Sequence, residues 1–203
     1  MTDLRNTPVA PSQGAPFAIR AERASDVDQR EALLDACFGD HRHMRTCQRL
    51  REGRAPADGL ALSALRKGRL VGTVRLWHVS AGGVPALILG PLAVEQSCRK
   101  LGVGAALMAR ALAAAMERGH RAVILLGDAP YYARFGFSAA KTADLMLPGR
   151  FERERLLGLE LQAGALDGAW GMIVPTGATA PKARGVRGKK SANKSARLVP
   201  HAA

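Results

Sequence analysis

The stretch that decides the fold is Ala86-Leu-Ile-Leu-Gly-Pro-Leu-Ala-Val94, followed by Arg99-Lys-Leu-Gly102-Val-Gly104 and then a helical pattern that runs to Gly119. The first run is continuously apolar and predicts a strand buried on both faces. Val103, Leu107, Leu112, Ala115 and Met116 recur at helical spacing and predict one buried helix face. Gly119 predicts the helix stop. The order is therefore strand, glycine loop, helix start. A helix start carries unpaired N–H groups and a partial positive charge. Gly102 and Gly104 allow close approach to the backbone, and Arg99 and Lys100 add full charges at the mouth. Together they predict an anion site suited to phosphate.

Two common phosphate motifs are excluded. The nucleoside-triphosphate loop Gly-x-x-x-x-Gly-Lys-Ser/Thr is absent. The dinucleotide fingerprint fails because Leu107 stands where its third glycine belongs. What remains is Arg-x-x-Gly-x-Gly. Within the central strand, Gly90-Pro91 predicts a bulge, since Pro91 cannot donate to a neighbouring strand. A bulge would splay the strand from a parallel partner at Ala122 and open a gap where α/β sheets commonly bind ligands.

A second stretch follows in order. Ala122-Val-Ile-Leu-Leu126 predicts another buried strand, leading into Gly127-Asp-Ala-Pro-Tyr-Tyr-Ala-Arg-Phe-Gly-Phe137. The loop Arg99 to Gly104 and the ending Tyr132-Ala-Arg-Phe-Gly136-Phe137 together resemble the GNAT superfamily of acyl-CoA N-acyltransferases. Leu89-Gly-Pro-Leu-Ala-Val94 and Gly127-Asp128 before the double tyrosine resemble its bacterial YhbS-like branch. The resemblance covers roughly residues 17 to 175. It implies an α/β fold with a mixed, mostly antiparallel sheet, one parallel β-α-β crossover and helices on both faces.

It also implies a reaction: direct transfer of an acyl group, acetyl first, from acyl-CoA to an amine, with no metal. By the same resemblance the pantetheine arm pairs with Leu92, Ala93 and Val94. The diphosphate lies on the backbone N–H groups of Lys100, Leu101, Gly102, Val103, Gly104 and Ala105, with the charges of Arg99 and Lys100 beside it. Tyr131 and Arg134 are further cofactor contacts. The Leu92 N–H is the candidate oxyanion donor, and Tyr132 the candidate general acid, with Tyr131 as its neighbouring alternative. The general base stays open among Glu95, Asp128, His78, His120 and a water chain. The resemblance also admits a homodimer.

The remaining residues complete the expectation. Phe17 to Arg20 predicts an edge strand, and Ser25 or Asp26 caps a helix whose buried face holds Val27, Leu33, Leu34, Cys37 and Phe38. His41 to Arg54 is Arg-rich and predicts an exposed helix, read as a solvated face in preference to a site for an acidic acceptor. Leu60–Leu65 and Leu70–Trp77 predict a hairpin over Arg66-Lys-Gly-Arg69, and Ala81-Gly-Gly-Val84 turns the chain into the central strand. Leu156–Leu161 and Met172–Val174 predict two late strands.

With 203 residues and 47% hydrophobic content the chain can build one domain with a sizeable core. No apolar run reaches the ~20 residues of a membrane helix, and Met1 to Pro16 lacks a signal-peptide pattern. A cytoplasmic protein is expected. Cys37, Cys47 and Cys98 form no Cys-x-x-Cys pair, which suits a reducing compartment and no metal. The predicted organisation is a lead-in over 1–16, one domain over 17–175 and a basic tail over 176–203. Seven of the 30 Lys and Arg residues, and no acid, lie in that tail, which carries about half of the +13 net charge. The tail motivates a second reading, a catalytically silent binding protein that meets RNA or ribosomes non-specifically.

Overall fold

The computed structural model of the chain describes residues 16–180. Nine strands form the sheet: β1 (Ala18–Ala21), β2 (Ala61–Arg66), β3 (Arg69–Ala81), β4 (Val84–Leu89), β5 (Ala93–Val94), β6 (Ala122–Leu126), β7 (Leu145–Met146), β8 (Leu156–Glu160) and β9 (Gly171–Pro175). Three α-helices accompany them: α1 (Val27–Phe38), α2 (Val103–Glu117) and α3 (Ala129–Ala133). The main order is β1-β2-β3-β4-β6-β8, with β5 and β9 also paired to β3. The β4–β6 pair is parallel and is joined through α2, as the strand–loop–helix–strand reading requires. A two-residue parallel pair, β7 with β9, was not anticipated.

Local chemistry explains the hairpins. Lys67 and Gly68 both adopt positive φ at the β2–β3 turn, which the right-handed twist of paired strands favours. The helix α2 ends as Gly119 predicts: Gly119 N–H donates to Met116 O at 2.9 Å and His120 N–H to Ala115 O at 3.0 Å.

The core lies on both faces of the sheet. Leu87, Leu89, Val123 and Leu125 meet α2 on one face, while Ala86, Ile88, Ala122 and Ile124 meet Leu50, Leu145 and Leu166 on the other. This alternation is what a strand buried on both faces means. Two predicted faces rotate slightly. In α2 the buried stripe is Val103, Leu107, Met108, Ala111, Ala114 and Ala115, whereas Met116 is 57% exposed. In α1, Leu33 and Leu34 are buried but Val27 is 38% exposed. Arg30 is buried there instead, paired with Glu22 and Glu31, both at 2.5 Å. Neither Ser25 nor Asp26 caps α1 with its side chain. Asp26 is turned inward: it accepts from Arg20, from Arg23 N–H at 2.9 Å and from Ser63 at 3.1 Å. The Arg20 guanidinium holds its carboxyl well below the usual range.

The Arg-rich segment is not one exposed helix. It folds as two 3₁₀ turns, Asp40–Met44 and Thr46–Leu50, with Leu50 fully buried. One apolar anchor and several side-chain tethers hold it against the sheet. Thr176 to Ala180, placed by the sequence at the start of the tail, continue the fold. Thr176 N–H donates to His78 O, Ala55 N–H to Ala178 O, and Ala180 N–H to Gly53 O. The tail's basic residues, Lys182 to Arg197, and the lead-in up to residue 15 lie outside the described residues. Among the described residues no helix is long and apolar enough to cross a membrane.

Candidate functional site

The site begins at the break in the central strand. β4 pairs with β6 only at Leu87–Val123 and Ile88–Ile124. At Gly90 the chain turns away and is pinned by β3: Gly90 N–H donates to Arg75 O at 2.8 Å, and Trp77 Nε1–H donates to Gly90 O at 2.9 Å. Ala93 and Val94 then pair with Thr73 and Gly72 of β3. One edge of β5 is thereby satisfied and the other faces the gap toward β6. Leu92 N–H finds no partner among the described residues. The gap widens into a cleft of about 1110 Å³ whose walls include Leu92, Ala93, Val94, Leu125 and Gly127. The predicted bulge is thus a full strand break.

At one end of the cleft lies the glycine loop. A 3₁₀ turn, Gln96–Leu101, ends on Gly102, which sits in the left-handed region at φ 76° and starts α2. The N–H groups of Val103, Gly104 and Ala105 have no intrahelical partner by position, and among the described residues no side chain caps this end. Arg99, Lys100, Gly102, Gly104 and Ala105 line the cleft. Leu101 and Val103 instead direct their side chains into the core, so only their backbones can serve the site. An uncapped helix start with two cations beside it can hold an anion.

The far wall comes from the segment after β6. Asp128 caps α3 by accepting Tyr131 N–H at 3.3 Å. Tyr131 and Tyr132 pack edge to face at 4.9 Å, and Tyr132 meets Phe137 at 5.9 Å. Their hydroxyls have different surroundings. A Cβ built on Gly104 would lie 3.0 Å from Tyr131 Oη, so that phenol sits over the glycine loop. Arg134 stacks on the Tyr131 ring at 4.0 Å. The Tyr132 ring packs on Gly127, where a Cβ would come within 2.3 Å of it. Burial, and secondarily the Tyr131 and Asp128 charges, push the Tyr132 pKa up to about 12. Its proton is therefore secure at neutral pH.

Gly127 went unremarked in the sequence beyond its place in a motif. Gly127→Ala forces the Tyr132 ring to move, because the clash is with a packed ring rather than a flexible chain end. We expect this variant to fold and to lose turnover by about tenfold or more. Steady-state kinetics with a thermal melt alongside checks it, and wild-type turnover would refute the packing argument.

Not every predicted residue reaches the cleft. Glu95, a candidate base, turns away and holds Arg69 through both oxygens, at 2.6 and 2.7 Å. It is not among the cleft-lining residues. The antiparallel β3–β5 pairing carries it toward the hairpin instead. His78 and His120 face each other at 5.3 Å, also away from the cleft. Asp128 lines the cleft but is occupied as the cap.

Conversely, the end of the cleft beyond Gly90 was missed. Phe38, Arg42, Arg45, Cys47 and Arg51 line it together with Arg150, Phe151, Glu152 and Arg155, and Thr46 Oγ1 donates to Arg150 O at 2.6 Å between the two segments. The signal was the Arg-rich run 41–54, read as solvated because its periodicity shows no apolar face.

Comparison with known proteins gives the family and the fold. The sequence profile of the acetyltransferase (GNAT) family matches residues 27–137. The uncharacterized N-acetyltransferase YhbS of Escherichia coli strain K12 is 30% identical over 157 residues, covering 76% of this chain and 93% of that protein. The crystal structure of Escherichia coli YhbS in complex with CoA superposes with a TM-score of 0.66 at 29% identity, over 85% of this chain and 94% of that one. A GNAT family acetyltransferase from Brucella melitensis, in complex with acetyl-CoA, gives a TM-score of 0.54 at 26% identity, over 76% of this chain and 100% of that one.

Proposed function

The chain belongs to the GNAT acetyltransferase family, and on that premise we propose that it transfers an acyl group, acetyl first, from acyl-CoA directly to a primary amine. One observation carries the reading. The open edge of β5, the uncapped start of α2 and Tyr132 all line a single cleft. The diphosphate rests on the amides between Lys100 and Ala105, with Arg99 and Lys100 supplying charge. Tyr131 and Arg134 border that end. The pantetheine arm runs along Leu92 to Val94 and brings the thioester to the strand break.

The reaction then follows. A neutral amine attacks the thioester carbonyl; the N–C bond forms and the carbonyl electrons move onto oxygen. The unpartnered Leu92 N–H stabilises that oxyanion. Collapse restores the carbonyl and breaks the C–S bond, and sulfur leaves as a thiolate. Overall one proton passes from the attacking nitrogen to sulfur. The Tyr132 phenol hydrogen-bonds the departing sulfur, and the proton taken from the amine reaches sulfur through solvent. A thiol titrates near 8.5, so full transfer from a phenol at about 12 is uphill, and the hydrogen bond is the main effect. With Glu95 held by Arg69, water relieves the amine of its proton.

The test is thiol release from acetyl-CoA against an amine panel, paired with calorimetric titration of coenzyme A into the full chain. Binding with amine-dependent thiol release is expected. Absence of coenzyme A binding would overturn the proposal.

A further inference from the structure

The end of the cleft beyond Gly90 is rich in arginine and short of acid. Resting on the acyl-transfer reading, we propose that the acceptor is an anionic amine: a small molecule that carries a carboxylate or phosphate beside its amine, with Arg51 holding that anion.

Arg51 differs from two of its neighbours. Arg42 is engaged by Glu31 and Asp35, both at 2.5 Å, and Arg155 faces Glu152 at 3.7 Å. Arg51 meets no carboxylate among the described residues, and its Nε is buried without a hydrogen-bond partner among them. The rest of this half-buried side chain lines the cleft, so an arriving anion can pair with its guanidinium. Burial lowers the Arg51 pKa; Cys47 acts against this, while the like charges of Arg42 and Arg45 add to it, and a bound anion opposes the lowering. The planar fork of arginine suits a carboxylate or a phosphate equally.

Position separates this cation from the coenzyme A diphosphate. A Cβ on Gly90 would lie 3.6 Å from Arg51 Nη1. Gly90 meets Arg75 and Val94 meets Gly72, three residues or about 10 Å apart along β3, and the glycine loop lies beyond that. Arg51 thus stands at the strand break, where the thioester and the acceptor meet. Nearby, Arg45 stacks on Phe38 at 4.9 Å. A polyamine would bring further positive charge against this wall, which disfavours it.

Matched amines decide the matter. Amino acids are compared with their amides, and O-phosphoethanolamine with ethanolamine, with spermidine as the cationic member. Each is titrated calorimetrically into the full chain with and without coenzyme A, and each is assayed by thiol release. The anionic member of at least one pair is expected to bind and turn over at least about tenfold better than its partner. The winning pair tells carboxylate from phosphate. Arg51→Gln should erase the advantage and Arg51→Lys should keep part of it, with coenzyme A affinity unchanged in both. Preference for neutral or cationic amines, no anionic amine bound, or an advantage that survives Arg51→Gln would each overturn the proposal. If coenzyme A fails to bind while Arg51-dependent anion binding persists, the acyl-transfer reading falls and the anion site stands.

Discussion

Gly104→Val is expected to lower coenzyme A affinity by at least about 100-fold, equivalent to ~2.7 kcal/mol, while leaving the fold in place. Gly104 lies in the first turn of α2 and lines the cleft. Even a Cβ there would come within 3.0 Å of Tyr131 Oη and 3.5 Å of Val94 Cγ2. The two valine methyls extend farther, into the space above the unpartnered amides. A diphosphate held by backbone N–H groups then loses its close approach. The fold tolerates the change because valine in a helix is no worse than glycine by intrinsic preference. Gly102→Val should fail similarly, with added strain from its left-handed φ of 76°. Calorimetry with a thermal melt as control is the measurement, and unchanged affinity would remove the glycine loop from the site.

Tyr132→Phe should lower kcat by about 10²-fold or more, as loss of a hydrogen-bond donor aimed at developing charge does. The ring's packing against Gly127 and Phe137 is kept, so coenzyme A affinity should change little. The pH dependence has a definite sign. The Tyr132 pKa is raised to about 12, so its acid form persists through neutral and moderately alkaline pH. The wild-type kcat should therefore show no descending limb from phenol ionisation below roughly pH 10, given a reference phenol near 10 that burial moves upward. Full turnover in the phenylalanine variant would take Tyr132 out of the donor role. A limb that falls near pH 10 and vanishes in that variant would show instead that the buried environment is lost when substrate binds.

These expectations depend on features of unequal legibility. The strand, glycine loop and helix from Ala86 to Gly119 could be read directly, because each reports a local constraint. Leu87 and Leu89 alternate with Ala86 and Ile88 across the sheet, Gly102 takes a φ that other residues resist, and Gly119 closes the helix. The hairpin at Lys67-Gly68 and the Asp128 cap are equally local. Less legible were the ends of the buried helix faces, where Val27 and Met116 proved exposed. Helical spacing defines a stripe, but only the packing partner sets its rotation. β7 escaped notice because two residues carry no measurable period.

Local preference and turn chemistry are written into neighbouring residues, so the sequence alone determined the β-α-β crossover, the uncapped helix start and the tyrosine pair that follows the next strand. Tertiary structure alone decided that β5 leaves β4 to pair with β3, that Glu95 turns to Arg69, and that the Arg-rich run becomes a cleft wall in which Arg51 Nε has no partner among the described residues. Each of these outcomes is a choice of partner between distant parts of the chain. No periodicity records such a choice, because burial and charge pairing are settled only when the surfaces meet.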